Sequence, residues 1–454
     1  MDDASSLADA ILAGKADLGK EELLEALIEA RDLELVDPAK SGAEYHTWDK
    51  PISKYYMMTS HNTYLSGIQI LVGASGEQYK KIIGMGARGV EVDIYDGLQE
   101  SDEPRVTHAN FSGSCPVREV FEAIKEAAFA KTEFPLFVAL EIYLTEANQD
   151  KLAAMIKEIF GDMALQGGNG KFLAEGATKL PTANELRKKI VFMSGDGAKT
   201  DALVDAVNLR QWGLKEGVWK WKNYSEESFI ETMGDDGKKN GLQSFQKKKM
   251  ARVYPKGGRI TSSNFNPVLT FTAGIHFAAI NMQTGDEGFW WQQAMFRDNG
   301  GAGWIHKPVI PRWKAGKAAP LDTKMTLTVR VVAGRRMWEG DADEKYKKEQ
   351  VDPFVRVAVE GMTADNKQYE TMACDDAKEI AWWDETFKFT ITCRRLALIK
   401  FEVLDKDLVT EDDLLGQAGA RVDMLRPGWR TVQLFDQHGA PKKTSTLLVH
   451  VAIK

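Results

Sequence analysis

The sequence predicts a (β/α)8 barrel in two halves, followed by an all-β sandwich and preceded by a short helical segment. Short apolar runs alternate with helical stretches from residue 50 to residue 310, which favours a parallel barrel. A segment rich in Trp, Lys and Gly interrupts this alternation, and after Pro311 there follow short alternating runs separated by turn residues, as in a sandwich. The predicted segments are 1–48 (helical), 49–195 (first half-barrel), 196–222 (connecting segment), 223–312 (second half-barrel), 313–324 (linker) and 325–454 (sandwich).

The N-terminal segment has the pattern of an amphipathic helix. Leu23, Leu24, Leu27 and Ile28 place apolar side chains on one helix face. The run 11–22 can be aligned with an EF-hand loop, but residues without ligand atoms occupy several of the ligand positions. We therefore expect a packing helix, a degenerate remnant of such a loop, without bound Ca²⁺.

The barrel is predicted from its strand-like runs. These runs are Tyr55–Ser60, Gly89–Ile94, Leu136–Ile142, Ile190–Met193 and Phe277–Met282. In a parallel barrel, reactive side chains lie at the C-terminal ends of the strands. Catalytic side chains are therefore expected at those ends.

Composition and charge disfavour several classes of protein. The formal net charge is −7, which disfavours nucleic acid as a partner. The three cysteines, Cys115, Cys374 and Cys393, are far apart, which disfavours a disulfide framework and fits a reducing compartment. Signal-peptide and membrane-spanning patterns are lacking, so we expect a cytoplasmic protein that reaches any lipid substrate from the water side.

Polar side chains follow or end three of the predicted strands and would meet at one rim of the barrel. They comprise two imidazoles, three carboxylates and one amide, namely His61, His108, Glu91, Asp93, Glu141 and Asn62. Oxygen ligands of this kind suit Ca²⁺ or Mg²⁺ better than Zn²⁺. A hard cation beside two imidazoles fits phosphoester chemistry. Strand-end acids and lone histidines are also commonly structural, so spacing alone supports both interpretations about equally.

Several motifs resemble the phosphoinositide-specific phospholipase C family. Ser60-His61-Asn62-Thr63-Tyr64-Leu65 and Arg88-Gly89-Val90-Glu91-Val92-Asp93-Ile94-Tyr95-Asp96-Gly97 resemble the X half of its TIM-like barrel. The Y half is matched by the motifs at 252–257, 262–267, 281–284 and 298–301. The order and spacing of these independent motifs agree from residue 60 to residue 301, which is far more specific than one short motif.

The resemblance implies Ca²⁺-dependent cleavage of inositol phospholipids, at a membrane surface, into diacylglycerol and inositol phosphate through a cyclic intermediate. It implies that His61 stabilises the pentavalent phosphorane and that His108 protonates the departing diacylglycerol oxygen, then acts as a base. Glu91 or Glu141 would take the proton from the inositol 2-hydroxyl. The implied Ca²⁺ ligands are Asn62, Glu91, Asp93 and Glu141, and the implied contacts with the inositol ring or its phosphates are Ser225, Arg252 and Tyr254.

Two departures from the family pattern concern substrate and membrane. Met193 and Gly195 stand where bisphosphate-selective members carry lysines, which leaves phosphatidylinositol and its monophosphate as expected substrates. Gly258 stands where a membrane-inserting tryptophan is usual. The residues expected to supply apolar contact instead are Ile70, Phe111 and Trp290 or Trp291.

The C-terminal sandwich resembles a C2 domain, which implies binding of anionic lipid. Asp352, Asp405, Asp407 and Asp413 fall where that family places its Ca²⁺-binding loops. Asp405 and Asp407 alternate, so both can face one cation. An Asp-rich turn without a cation is the other interpretation.

Two other functions remain open from the sequence. One is an inactive barrel that delivers a C2 domain to membranes, which the intact pair His61 and His108 disfavours. The other is a barrel glycerophosphodiesterase acting on soluble diesters, which the inositol-site residues Arg252 and Tyr254 disfavour. The short N-terminal segment predicts that a pleckstrin-homology module is lacking. The sequence identifies no activating partner and no oligomeric state.

Overall fold

The computed structural model describes most of the chain. The described residues are 33–37, 48–67, 73–97, 103–108, 113–168, 170–174, 177–211, 220–297, 299–308, 324–337, 351–377, 379–407 and 411–454. Most of the predicted N-terminal helix and of the 313–324 linker lies outside them, as do Ile70 and Phe111. The chain divides into two compact units, one comprising residues 43–292 and 299–319 and the other 1–42, 293–298 and 320–454.

The first unit is built on eight parallel strands in the order β7-β6-β5-β2-β1-β10-β9-β8. Their bounds are β1 Tyr55–Ser60, β2 Gly89–Tyr95, β5 Leu136–Tyr143, β6 Ile190–Ser194, β7 Leu209–Arg210, β8 Trp221–Ser225, β9 Met250–Tyr254 and β10 Phe277–Ile280. A parallel bridge from Arg210 to Lys220 joins the two edges of this row, so the sheet closes into a barrel. Three short strands pair antiparallel at its margin, namely β3 Arg105–Val106, β4 Cys115–Pro116 and β11 Trp304–His306.

Helices connect the parallel strands. Their bounds are α1 Gly76–Gly84, α2 Val117–Ala127, α3 Glu146–Phe160, α4 Asp201–Ala206, α5 Glu226–Gly234, α6 Asp236–Gln246, α7 Val268–Ala273 and α8 Glu287–Phe296. In α2 the buried residues Val117, Val120, Phe121 and Ile124 have the spacing of one helix face. Among the described helices, none has both the length and the apolarity needed to cross a bilayer.

Strands β1, β2, β6, β9 and β10 are buried on both faces, as expected of a parallel sheet covered by helices. One apolar cluster includes Met57, Phe137 and Met193, and a second includes Val138 and Phe192, the neighbouring residues of β5 and β6 on the opposite face. The first cluster therefore fills the barrel interior, and the second joins strands to helices. The interior is closed by apolar packing, which leaves the C-terminal ends of the strands as the place for polar side chains.

Trp290 and Trp291 are buried, with 3% and 0% of their surface exposed. The expectation that either one supplies apolar contact to a membrane was therefore wrong. Both lie on α8, whose apolar residues are not confined to one side, and such a helix is typical of a protein interior.

The second unit contains an antiparallel sheet of eight strands in the order β14-β13-β16-β17-β18-β19-β12-β15. Their bounds are β12 Met325–Arg335, β13 Pro353–Glu360, β14 Lys367–Glu370, β15 Ile380–Ile391, β16 Leu398–Asp405, β17 Asp413–Arg421, β18 Gly428–Phe435 and β19 Pro441–Ile453. Alternate residues of β12, Leu327, Val329 and Val331, face its apolar core. The predicted fold class, a two-half parallel barrel followed by an all-β sandwich, is confirmed.

Candidate active site

Three carboxylates meet where β2 and β5 end. Glu91 and Asp93 point to the same side of β2, and the parallel register pairs Asp93 with Glu141 of β5. One carboxylate oxygen from each of the three residues lies within 4.8 Å of the others. Among the described residues, this is the group of His, Cys, Asp and Glu side chains that is close enough to share a metal ion.

Glu91 is the ionised member of this cluster. Burial alone would raise its pKa, but the Arg252 guanidinium, His61 and the Asn62 N–H lower it to about 2. Arg252 Nη2 lies 2.5 Å from Glu91 Oε1, and each side chain has 2% of its surface exposed. This buried ion pair links Glu91 of β2 to Arg252 of β9.

Asp93 and Glu141 are crowded by like charge. Burial and the nearby charges of Glu141 and Glu91 raise the pKa of Asp93 well above its usual range. Burial and the Glu91 charge raise the pKa of Glu141 to about 7. Carboxylates arranged in this way repel one another, and a divalent cation among them would relieve the repulsion.

Asn62 and Tyr64 support the cluster from the loop after β1. Asn62 has a positive φ of 46°, a conformation that Asn tolerates better than most residues, and its N–H donates to Glu91 Oε2 over 2.8 Å. The Tyr64 hydroxyl donates to Asp93 Oδ2 over 2.7 Å. Among the described residues, Asp93 Oδ1 is buried without a hydrogen-bond partner. An oxygen-rich donor set with one orphaned carboxylate oxygen fits a hard cation such as Ca²⁺.

His61 lies beside Glu91 of the carboxylate cluster. Its Nδ1 is 2.8 Å from Asn281 Oδ1, and its Nε2 is 3.8 Å from Glu91 Oε2. Burial lowers the pKa of His61, although the Glu91 charge acts in the opposite direction. The imidazole is thus held by one nitrogen while the other points toward the carboxylate cluster.

His108 also belongs to this region. Burial lowers its pKa, and the charge of Glu91 partly counteracts that effect. The charge of His108 in turn acts on His61. His108 therefore lies near enough to Glu91 and His61 for their charges to act on one another. Residues 109–112, which follow His108, lie outside the described part of the chain.

The three predicted substrate contacts lie on β8 and β9. Arg252 donates to Glu91 and to Asn223 Oδ1, and its guanidinium lies 5.3 Å from the centre of the Tyr254 ring. Tyr254 is half-buried and nearly parallel to the His61 ring, with the two centres 6.1 Å apart. Ser225 pairs in register with Tyr254, but its Oγ accepts the Ser228 N–H over 3.2 Å and caps α5.

Sequence reasoning assigned no role to several residues that the structure places at the site. Asn281, at the end of β10, contacts His61, and Tyr64 contacts Asp93. Both lie in motifs that carry the family resemblance. The position of Asn281 at the end of a barrel strand is the sequence signal that could have indicated its place in the site. Ile260 is 57% exposed on the loop after β9, beside the barrel mouth.

The predicted C2 aspartates lie at one end of the sandwich sheet. Asp405 ends β16, faces Asp413 of β17 in register, and accepts the Asp352 N–H over 2.7 Å. Burial, opposed by that hydrogen bond, and the charges of Asp407, Asp352 and Asp413 raise the pKa of Asp405. Within the described residues, these aspartates do not form a group of three with ligand atoms within 4.8 Å. Residues 408–410, between Asp407 and Asp413, lie outside that part.

Family models match most of the chain. The model for phosphatidylinositol-specific phospholipase C, X domain, matches residues 48–194, and the Y-domain model matches residues 202–310. The C2 domain model matches residues 325–436. A closed β/α barrel with imidazoles and clustered acids at its mouth fits a phosphodiesterase, the class of enzyme to which the X and Y models belong. Within that class, the chain belongs to the phosphoinositide-specific phospholipase C family.

Curated relatives agree with the family models. Phosphoinositide phospholipase C 2 of Arabidopsis thaliana is 27% identical over 90% of this chain and 82% of its own length. The human 1-phosphatidylinositol 4,5-bisphosphate phosphodiesterase delta-1 is 26% identical over 90% of this chain, which spans 61% of that relative.

A solved structure agrees in fold. The crystal structure of L. pealei PLC21 superimposes with a TM-score of 0.83 and 23% identity, covering 97% of this chain and 60% of that one. At this identity, the likeness supports the barrel and sandwich architecture.

Proposed function

We propose that this protein is a Ca²⁺-dependent phosphodiesterase that cleaves inositol phospholipids into diacylglycerol and inositol phosphate at a membrane surface. The observation that carries the proposal is the meeting of His61 with Glu91, Asp93 and Glu141 at the C-terminal end of the barrel. A phosphodiester needs a cationic group for its developing charge and a base for the attacking hydroxyl, and this arrangement provides for both.

Asn62, Glu91, Asp93 and Glu141 would hold the Ca²⁺. When bound, the ion would neutralise phosphate charge and lower the pKa of the attacking hydroxyl. The support in the structure is the oxygen donor set and the orphaned Asp93 Oδ1 among the described residues.

Glu141 is our choice for the base that takes the proton from the inositol 2-hydroxyl. Both Glu91 oxygens already accept hydrogen bonds, one from Asn62 and one from Arg252. Glu141 Oε2 accepts from the exposed Tyr143 hydroxyl over 3.0 Å. Attack by the 2-hydroxyl on the 1-phosphate is intramolecular, so it forms a cyclic phosphate without the entropic cost of bringing in water.

The two imidazoles would have different catalytic roles. In its imidazolium form, His61 would donate a hydrogen bond from Nε2, which lies near Glu91, to the equatorial phosphate oxygens of the phosphorane. His108 would give its proton to the diacylglycerol oxygen as that bond breaks, and would then accept one from the water that opens the cyclic phosphate. Tyr254, parallel to His61, would pack against the inositol ring, with Arg252 and Ser225 at its polar edge.

Substrate preference would follow from the side chains at positions 193 and 195. Met193 is buried in the barrel interior, and the nearest side-chain atom to a Cβ built at Gly195 is Gln211 Oε1 at 3.7 Å. These positions offer no cation to a 4- or 5-phosphate. We expect phosphatidylinositol and its monophosphate to be cleaved at least as well as the bisphosphate.

Membrane contact would be peripheral. The C2-like sandwich would bind anionic lipid, with Asp352, Asp405, Asp407 and Asp413 in its Ca²⁺ loops. Ile260, exposed on the loop after β9, would add an apolar contact next to the barrel mouth.

The test is release of water-soluble inositol phosphate from vesicles of phosphatidylinositol, its 4-phosphate and its 4,5-bisphosphate, with Ca²⁺ or with chelator. We expect chelator-sensitive release from all three, and loss of release in His61→Ala. His438→Ala, at an exposed position in the sandwich, is the matched control and should retain full activity. Absence of release from every lipid would contradict the proposal and favour an inactive membrane-binding protein. Release from soluble glycerophosphodiesters alone would favour the other barrel enzyme.

A further inference from the structure

A series of hydrogen-bonded residues ends at His61. The His61 ring has two nitrogens with different surroundings: Nδ1 lies 2.8 Å from Asn281 Oδ1, and Nε2 faces Glu91 at 3.8 Å. Because a neutral imidazole carries one proton, the group beside Nδ1 decides which nitrogen bears it.

The orientation of the Asn281 amide is fixed by its own partners. Its backbone N–H donates to Asn264 Oδ1 over 2.6 Å, and its backbone carbonyl accepts from Asn264 Nδ2 over 3.0 Å. Its side-chain Nδ2 donates to the Ser263 carbonyl over 3.4 Å. Since a carbonyl can only accept, the amide nitrogen faces Ser263 and the amide oxygen faces His61.

Asn264 is held in turn by Asp286. The Asn264 N–H donates to Asp286 Oδ2 over 2.7 Å, and its Nδ2 donates to Asp286 Oδ1 over 2.8 Å. The Phe289 N–H, in the first turn of α8, also donates to Asp286. The carboxylate therefore anchors the loop after β9 to the start of α8, and through Asn264 it orients Asn281.

We propose that Asn281, oriented by Asn264 and Asp286, is the positioning residue that keeps the His61 proton on Nδ1 and turns Nε2 toward the reacting phosphate. An acceptor oxygen at this place requires a donor on Nδ1. In the imidazolium form the same contact persists, and Nε2 carries the second proton toward the phosphate. A neutral amide provides this acceptor without adding negative charge beside the carboxylate cluster.

The inference rests on the proposed function for its kinetic consequence, but its structural content can be measured separately. The full-length protein labelled with [¹⁵N]histidine would be examined in chelator, and His61→Gln would assign the His61 signals among the seven histidines. We expect neutral His61 to bear its proton on Nδ1. A proton on Nε2 would overturn the proposal, whether or not the enzyme cleaves lipid and whether or not any Asn281 variant folds.

Kinetics on phosphatidylinositol vesicles supply the second measurement. We expect Asn281→Ala to lower kcat about 100-fold with KM unchanged. Asn281→Asp, which keeps an acceptor oxygen, should recover at least about a tenth of the wild-type kcat. Asn208→Ala removes another buried barrel amide, one that holds Phe192 and Leu165, and should leave kcat unchanged.

Equal loss in Asn281→Ala and Asn281→Asp, or a change in KM alone, would overturn the positioning role. An inactive wild-type protein with the proton on Nδ1 would instead refute the proposed function and leave the hydrogen-bond chain intact.

Discussion

The barrel and the sandwich each gather carboxylates at one end, but they hold them differently. In the barrel, Glu91, Asp93 and Glu141 stand on two adjacent strands, so the sheet register sets their separation and their oxygens lie within 4.8 Å. In the sandwich, Asp405 and Asp413 face one another across two strand ends, and Asp405 already accepts the Asp352 N–H.

This difference indicates which cluster is prepared for a cation. In the barrel, Tyr64 holds Asp93 and Arg252 holds Glu91, so two of the three carboxylates are positioned before any ion binds. Within the described residues, the sandwich aspartates do not bring three ligand atoms within 4.8 Å of one another. We expect the barrel cluster to serve chemistry with little rearrangement, and the sandwich aspartates to serve Ca²⁺-dependent lipid binding.

The largest effect is expected when the barrel cluster loses one charge. Asp93→Asn removes a proposed ligand, so turnover of phosphatidylinositol should fall at least about 100-fold. The same change removes a buried carboxylate crowded by Glu141, so the unfolding temperature in chelator should rise. Inositol phosphate release and thermal unfolding measure the two effects. Near-normal turnover would show that Asp93 is not a Ca²⁺ ligand needed for catalysis.

The buried and exposed ion pairs of the two units should differ in their contribution to stability. Arg252→Ala leaves Glu91 buried without its partner, and should lower the free energy of unfolding by about 3 kcal/mol or more. Arg330→Ala breaks a partly exposed pair with Asp384 in the sandwich, and should cost less than about 1 kcal/mol. Urea unfolding of both variants tests this, and equal losses would contradict the proposed importance of the buried pair.

Removing one supporting hydroxyl should weaken the barrel site without abolishing it. Tyr64→Phe deletes the hydrogen bond to Asp93, and should raise the Ca²⁺ concentration for half-maximal turnover about tenfold or more. Tyr369→Phe removes a hydroxyl from the sandwich, where it donates to the Lys388 carbonyl, and should leave that concentration unchanged. An unchanged Ca²⁺ requirement in Tyr64→Phe would show that the hydroxyl does not prepare the site.

The smallest effect is expected in the sandwich. Asp405→Asn combined with Asp407→Asn should weaken Ca²⁺-dependent binding to anionic vesicles about fivefold, and should leave turnover of a soluble short-chain substrate unchanged. Vesicle sedimentation and an assay on monomeric lipid separate the two. Unchanged vesicle binding would show that these aspartates do not support Ca²⁺-dependent lipid binding.

The sequence predicted the barrel, the sandwich and the residues at the strand ends, because a period of two and the closure of a parallel sheet determine which side chains converge. It did not predict that Ser225 caps α5 or that Asn281 contacts His61, because those contacts depend on loop conformation. It also misplaced Trp290 and Trp291, since an aromatic pair on a helix has no pattern that separates a buried face from a membrane contact.

We propose that the barrel carboxylates form the Ca²⁺ site required for turnover. The direct measurement is the initial rate on a soluble short-chain phosphatidylinositol across a Ca²⁺ titration, for the wild type and for the protein with both Asp405→Asn and Asp407→Asn. We expect superimposable titrations, with turnover abolished by chelator in both proteins. A chelator-resistant rate, or a Ca²⁺ requirement that shifts when the sandwich aspartates are removed, would contradict it.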